Sequence, residues 1–100
     1  MGPIEMNEVI GGKRYNTETA ILLAGNDYWD GHNFERHGHN TYLFKGKSGS
    51  YFAQHLTQWQ GEQDKLEPLD EEEAVELFER LSNKRVDFED AFPNITVAEA

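Results

Sequence analysis

The sequence predicts an α+β domain in which a small antiparallel sheet, built on a central hairpin, packs against a C-terminal amphipathic helix. A short helix is expected near the N-terminus. Three observations favour this class: two aromatic-rich segments joined by a glycine turn, an acidic capped segment with helical spacing, and an earlier apolar run behind a capping residue. A chain of 100 residues can bury one modest core. Residues 1–100 are therefore expected to form one domain, ordered over about 9–92.

The N-terminal helix is predicted over Glu18–Ala24. Asn16 or Thr17 can cap its first turn, Glu18 places an acid there, and Gly25 supplies a stop signal. Because the segment is apolar almost all round, we expect it to be buried.

Two turn-rich segments flank this helix. Val9 and Ile10 precede Gly11 and Gly12, which suits either a short strand and turn or a two-glycine bend before a helix. Residues 25–40 are rich in Gly, Asn, Asp and His and are interrupted by aromatic residues. This composition predicts a long ordered loop.

The clearest strand signal is a β-hairpin with strands Thr41–Lys45 and Ser50–Gln58 around a glycine-containing turn. Alternation places Tyr42 and Phe44 on one face and Leu43 on the other. Because both faces carry bulky side chains, we expect a helix to cover one face and a loop or partner to cover part of the other.

The C-terminal helix is predicted over Glu71–Asn83. Asp70 lies three residues before Glu73, which is the spacing of a capping box, and apolar residues then recur at helical spacing. The outer face of this helix is acidic and carries Glu72, Glu76 and Glu79.

Negative charge is concentrated in the second half of the chain. Residues 1–50 hold six acids and five bases, whereas residues 51–100 hold thirteen acids and four bases. Between residues 62 and 79, Lys65 is the only base among nine acids. This imbalance disfavours direct binding of nucleic acid or an anionic membrane and favours a protein partner with a basic groove.

The acidic segment has two interpretations that the sequence leaves open: a solvated helix face or a surface that takes the place of nucleic acid. Carboxylates four residues apart on a helix are separated by about 6 Å of rise, close to the phosphate spacing along one nucleic-acid strand. The candidate partner-binding acids are Glu62, Asp64, Glu67, Glu72, Glu73, Glu76 and Glu79. Trp29 and Trp59 are candidate aromatic anchors, although in so small a domain such residues are more often buried.

Catalytic and metal chemistry find little support. The chain has no cysteine and no Gly-x-Ser-x-Gly motif, so we expect neither enzymatic activity nor a cofactor. A histidine-rich loop offers candidate metal ligands, although the same side chains could simply bond backbone or solvent. These candidates are Asp30, His32, His37 and His39. No apolar window is long enough to span a bilayer, and a cytoplasmic location is expected.

Three segments carry a family resemblance: KRYNTETA from Lys13 to Ala20, YLFKGKSGSYF from Tyr42 to Phe52, and Pro68-Leu69 followed by Glu72-Glu73-Ala74. Over about residues 12–92 the chain resembles small acidic proteins of phages, plasmids and other mobile elements. Some of those proteins are anti-CRISPR inhibitors. The chain departs from them at Ala53–Trp59, which replaces a glycine-rich stretch.

This resemblance implies a mobile-element protein that works inside a bacterial host cell and binds a host or competitor protein. A CRISPR-Cas effector is one such partner, and no catalytic residue is carried over. The alternative is an accessory regulator that dimerises or binds a protein partner without imitating nucleic acid.

Overall fold

The computed structural model describes residues 2–26 and 39–100. The strands in these ranges are β1 (Asn7–Ile10), β2 (Lys13–Asn16), β3 (Ile21–Gly25), β4 (His39–Lys45), β5 (Tyr51–Thr57), β6 (Lys65–Leu69) and β7 (Asn83–Lys84). The helices are α1 (Glu71–Arg80) and α2 (Phe88–Ala91). Strands β3 to β7 form an antiparallel sheet in the order β6-β5-β4-β3-β7, while β1 and β2 form a separate hairpin.

The predicted α+β class is wrong, because the described chain is mostly β and its two helices are short. The predicted N-terminal helix is also wrong, since Ile21–Gly25 pair with β4 on one side and β7 on the other. A short apolar run between turn residues suits a buried strand as well as a buried helix, and pairing within the sheet decides between them. The side chain of Asn16 accepts a bond from the Glu18 amide at 2.9 Å, but it closes a turn instead of starting a helix.

The predicted hairpin is confirmed as β4 and β5, which pair from His39 opposite Thr57 to Lys45 opposite Tyr51. The Gly46 amide donates to the Ser50 carbonyl at 2.7 Å and closes the turn. Gly49 sits in the turn at φ +91°, in the left-handed region that favours glycine.

One face of the sheet is covered by the two helices. Leu43 and Ala53 of the sheet share a core with Leu77 and Phe78 of α1 and with Phe92 after α2. The capping box predicted at Asp70 and Glu73 is confirmed, with both reciprocal bonds present. The helix ends at Arg80 instead of Asn83 because residues 83–84 pair with β3.

The opposite face is covered by the β1-β2 hairpin. Tyr15 of β2 meets Phe52 edge-on, with ring centroids 5.4 Å apart, and Phe44 stacks on Phe52 at 5.4 Å. The two cores confirm that Tyr42 and Phe44 face away from Leu43. The cover expected from a loop or a partner is therefore supplied by the chain's own N-terminal strands.

Buried polar side chains attach the N-terminal segment to the sheet. The Ile4 carbonyl accepts bonds from Thr17 Oγ1 at 2.9 Å and from Gln54 Nε2 at 2.7 Å. Thr17 Oγ1 also accepts from the Met6 amide at 2.9 Å, and the Thr17 amide donates to the Met6 carbonyl at 3.0 Å. We call Thr17 and Gln54, with the backbone of Ile4 and Met6, the N-terminal clasp.

Replacing Thr17 with Val should loosen this clasp while keeping the shape of the side chain. The change removes the hydroxyl that serves Ile4 and Met6 and leaves their backbone groups short of partners, at a cost of about 1–3 kcal/mol. Urea unfolding followed by circular dichroism measures the loss. Thr19→Val is the matched control, because Thr19 is exposed and its hydroxyl makes only a 3.5 Å contact with the Asn16 carbonyl. Equal destabilisation by both variants would contradict the claim that the clasp stabilises the fold.

Candidate functional site

Glu67, the one predicted acidic residue of β6, lies on the helix-covered face of the sheet. Glu67 pairs directly with Ala53, and directly paired residues in neighbouring strands point to the same face. Ala53 belongs to the core beneath α1. Glu67 therefore shares a face of the sheet with the acidic helix.

The three predicted acids outside α1 are bonded within the fold. Glu62 Oε1 lies 2.8 Å from His39 Nε2 and accepts from Thr57 Oγ1 at 2.6 Å. Glu67 Oε1 lies 2.8 Å from His55 Nε2. The third acid, Asp64, accepts a hydrogen bond at Oδ1 from the Thr57 amide at 2.8 Å. These carboxylates organise the end of the sheet where β4, β5 and β6 meet.

The hydrogen bond from Thr57, followed by that from His39, holds the pKa of the Glu62 carboxyl below its usual value. Both bonds favour the ionised carboxylate over the protonated acid. Glu62 is therefore tuned to stay negative next to a histidine.

The predicted acids of α1 fall into two groups. Glu73 is occupied by the capping box, where its carboxylate accepts from the Asp70 amide at 3.0 Å. Glu72, Glu76 and Glu79 are exposed, and their carboxylates make no hydrogen bond or ion pair with any described residue. We call these three residues the acidic helix face.

Of the two predicted tryptophan anchors, only Trp59 lies within the described residues. Trp59 is 55% exposed, and its carbonyl accepts from the Glu62 amide at 3.2 Å, so the indole is carried by the same turn as Glu62. Trp29 lies outside the described residues.

Most of the candidate metal ligands also lie outside the described residues: Asp30, His32 and His37. His39 pairs with Glu62 instead. Within residues 2–26 and 39–100, no three His, Asp or Glu side chains are grouped as a metal site would require.

A basic cleft of about 540 Å³, which was not predicted from the sequence, lies on the hairpin-covered side of the sheet. Residues from β2, from the turn after it and from the β4-β5 turn line it. Three bases, Lys13, Arg14 and Lys47, lie along this cleft. The available signal was that four of the five bases in residues 1–50 occur in two short segments, Lys13-Arg14 and Lys45-Gly46-Lys47.

Comparison of the chain with protein-family models, curated proteins and solved structures gave no match. The resemblance to mobile-element proteins therefore stays a prediction. Neither helix in the described part of the chain is long and apolar enough to cross a bilayer.

The lowered pKa of Glu62 predicts a pH-dependent contribution to stability. A carboxyl whose pKa is lower in the folded state than in the unfolded chain stabilises the fold above the unfolded value, and that contribution is lost as pH falls through the folded pKa. The usual pKa of a glutamate carboxyl is 4.5, so the loss of stability should appear below about that pH. Glu62→Gln should show a smaller drop in urea midpoint between pH 6 and pH 3 than the wild-type protein.

Glu76→Gln is the control for this titration, because the Glu76 carboxylate has no hydrogen bond within the described ranges. Its profile should run parallel to that of the wild-type protein. If Glu62→Gln also ran parallel, the bonds from Thr57 and His39 would not couple protonation of Glu62 to folding.

Proposed function

We propose that the protein is a non-enzymatic inhibitor that docks its acidic helix face on a basic groove of a nucleic-acid-binding protein. The resemblance described above makes a CRISPR-Cas effector or a similar nuclease the first partner to test. The observation that supports this proposal is that three exposed carboxylates on one helix, Glu72, Glu76 and Glu79, are not bonded to any described residue.

The helix holds the backbone of these three residues in a fixed geometry. Ala74, Leu77 and Phe78 bury the inner side of α1, and the capping box secures its N-terminus. Residues 72, 76 and 79 follow one another at helical spacing, so they are spaced about 4.5–6 Å apart along the axis. Because the helix is already formed, its backbone loses little conformational entropy on binding, and its row of negative charges attracts a groove built to receive phosphates.

Other acids extend the negative surface around the end of the sheet. Glu67 shares the helix-covered face, and Glu62 receives its bond from His39, which pairs with Thr57 at the end of β4. Trp59 supplies an exposed aromatic ring in the turn next to Glu62. Large aromatic residues of this kind dominate the energetics of many protein interfaces.

The second candidate function is that of an accessory regulator that dimerises or binds a protein without imitating nucleic acid. Exposed apolar side chains favour it: Ile21 is 60% exposed and Val9 is 58% exposed, both outside the acidic helix face. An interface built on these residues would bind through apolar contact and would respond weakly to salt.

Reversing the charge of the acidic helix face should abolish inhibition. The triple variant Glu72→Lys, Glu76→Lys and Glu79→Lys is mixed with purified RNA-guided nucleases, and guide-RNA and target-DNA binding are followed by fluorescence anisotropy. We expect the wild-type protein to compete with one of these nucleic acids and the variant to lose at least about tenfold in affinity. Raising the salt from about 100 mM to about 500 mM should weaken the wild-type effect, because screening shortens the range of exposed charges.

The matched control is Glu5→Lys, Glu18→Lys and Glu99→Lys, which changes the net charge equally at exposed positions elsewhere. It should inhibit like the wild-type protein, and both variants should keep the wild-type circular-dichroism melt. Inhibition that survives both the helix reversal and high salt would refute nucleic-acid imitation and favour the apolar residues.

A further inference from the structure

We propose that the basic cleft binds a small phosphomonoester that carries a flat ring, such as a nucleoside monophosphate. The cleft occupies about 540 Å³ between β2 and the β4-β5 turn. That volume is within the range of about 300–1,000 Å³ typical of small-molecule sites. This site is separate from the acidic helix face and does not depend on the function proposed above.

The charge of the lining selects an anion. Lys13, Arg14 and Lys47 all line the cleft, and no described Asp or Glu does, although the whole chain has 19 acids and 9 bases. A group of three cations with no acid in the same lining is a local feature that the net charge of this acidic chain conceals. Lysine and arginine are the side chains that most often hold phosphate, the first as a point charge and the second through a planar fork of donors.

The polar groups of the lining offer donors and few free acceptors. Arg14 donates from one terminal nitrogen to Asn7 Oδ1 at 2.8 Å, which steadies the guanidinium while its remaining N–H groups stay available. The oxygen of Asn16 is occupied by the Glu18 amide, so this side chain has its NH₂ group left to donate. Phosphate oxygens only accept when fully ionised, so this set of groups matches them.

Hydroxyl groups complete the donor set on the other wall. The Oγ atoms of Ser48 and Ser50 lie 3.3 Å apart in the β4-β5 turn, and both residues line the cleft. Thr19 contributes a third hydroxyl from the turn after β2. Each of these hydroxyls can rotate to donate to a phosphate oxygen between them.

An aromatic floor favours a ligand with a ring. Tyr15 and Phe52 both line the cleft and meet edge-on, with centroids 5.4 Å apart. The Tyr15 hydroxyl makes no hydrogen bond with the described residues, and so adds a donor at the edge of this apolar surface. A ring against the floor and a phosphate between the bases would use both parts of the cleft.

The surroundings favour a small ligand over a nucleic-acid strand. A strand that continued beyond the cleft would meet a molecule of net charge −10, which repels a polyanion. A ligand confined to the cleft would meet the charges of the three bases and no Asp or Glu of its lining. It would also bridge the β1-β2 hairpin to the main sheet, so binding should raise the unfolding temperature.

The test uses a panel of probes at low salt: the four common nucleoside monophosphates, flavin mononucleotide and pyridoxal phosphate, each beside its unphosphorylated parent. Amide chemical-shift changes locate the site, and thermal shift and calorimetry measure affinity. We expect at least one phosphomonoester to bind at least tenfold more tightly than its parent and than inorganic phosphate. The shifts should centre on residues 13–19 and 46–52.

Lys47→Gln changes an exposed turn residue, and it should weaken binding about tenfold, as should the pair Lys13→Gln and Arg14→Gln. The control pair Lys65→Gln and Arg80→Gln removes the same charge elsewhere and should leave the affinity unchanged. Absence of shifts at these residues with every probe would overturn the proposal. Equal affinity for the unphosphorylated parent, or an oligonucleotide that binds far more tightly than any monophosphate, would also overturn it.

Discussion

Burial of the central hairpin on both faces is the constraint on which the rest of this structure depends. Consecutive residues are buried along both strands, from Tyr42 to Phe44 and from Tyr51 to Gln54. Full burial of a large apolar side chain is worth about 1.5–3 kcal/mol, so neither face can be left open to water without a large loss. Two parts of the chain supply the covers: the helices on one face and the β1-β2 hairpin on the other.

Gln54 shows how firmly the second cover is specified. It is completely buried in a central strand, where its Nε2 group donates to the Ile4 carbonyl and its Oε1 atom has no described partner. An unsatisfied buried oxygen costs about 1–3 kcal/mol. A leucine would avoid that cost but would leave the Ile4 carbonyl with Thr17 alone. The polar side chain therefore sets where the N-terminal segment lies, and this in turn positions β2 beside the β4-β5 turn.

The sequence was most informative where the signal was local. A capping box at Asp70 and Glu73 needs only neighbouring residues, as does the β4-β5 turn, and both appear as predicted. Ile21–Gly25 depended on partners far along the chain: β4 begins 14 residues after Gly25, and β7 lies further still. Local propensity does not depend on those distant partners, so from the sequence alone this apolar run predicts a helix.

The acidic helix face and the basic cleft differ in the same respect, because only the first is formed by residues that are close in sequence. The acidic helix face could be found because i, i+4 and i+7 positions on one helix are necessarily neighbours. The basic cleft could not be found in this way, because Arg14 and Lys47 lie 33 positions apart and come to line one cleft only once the N-terminal hairpin is attached to the sheet.

The cleft can stay positive because it is separated from the acidic helix. Stacked layers are about 10 Å apart, whereas charges are screened over about 8 Å at physiological salt. The acidic helix face and the cleft lie on opposite faces of the sheet, so the carboxylates of Glu72, Glu76 and Glu79 offset the three bases only weakly, and a strongly acidic protein can keep a locally positive site.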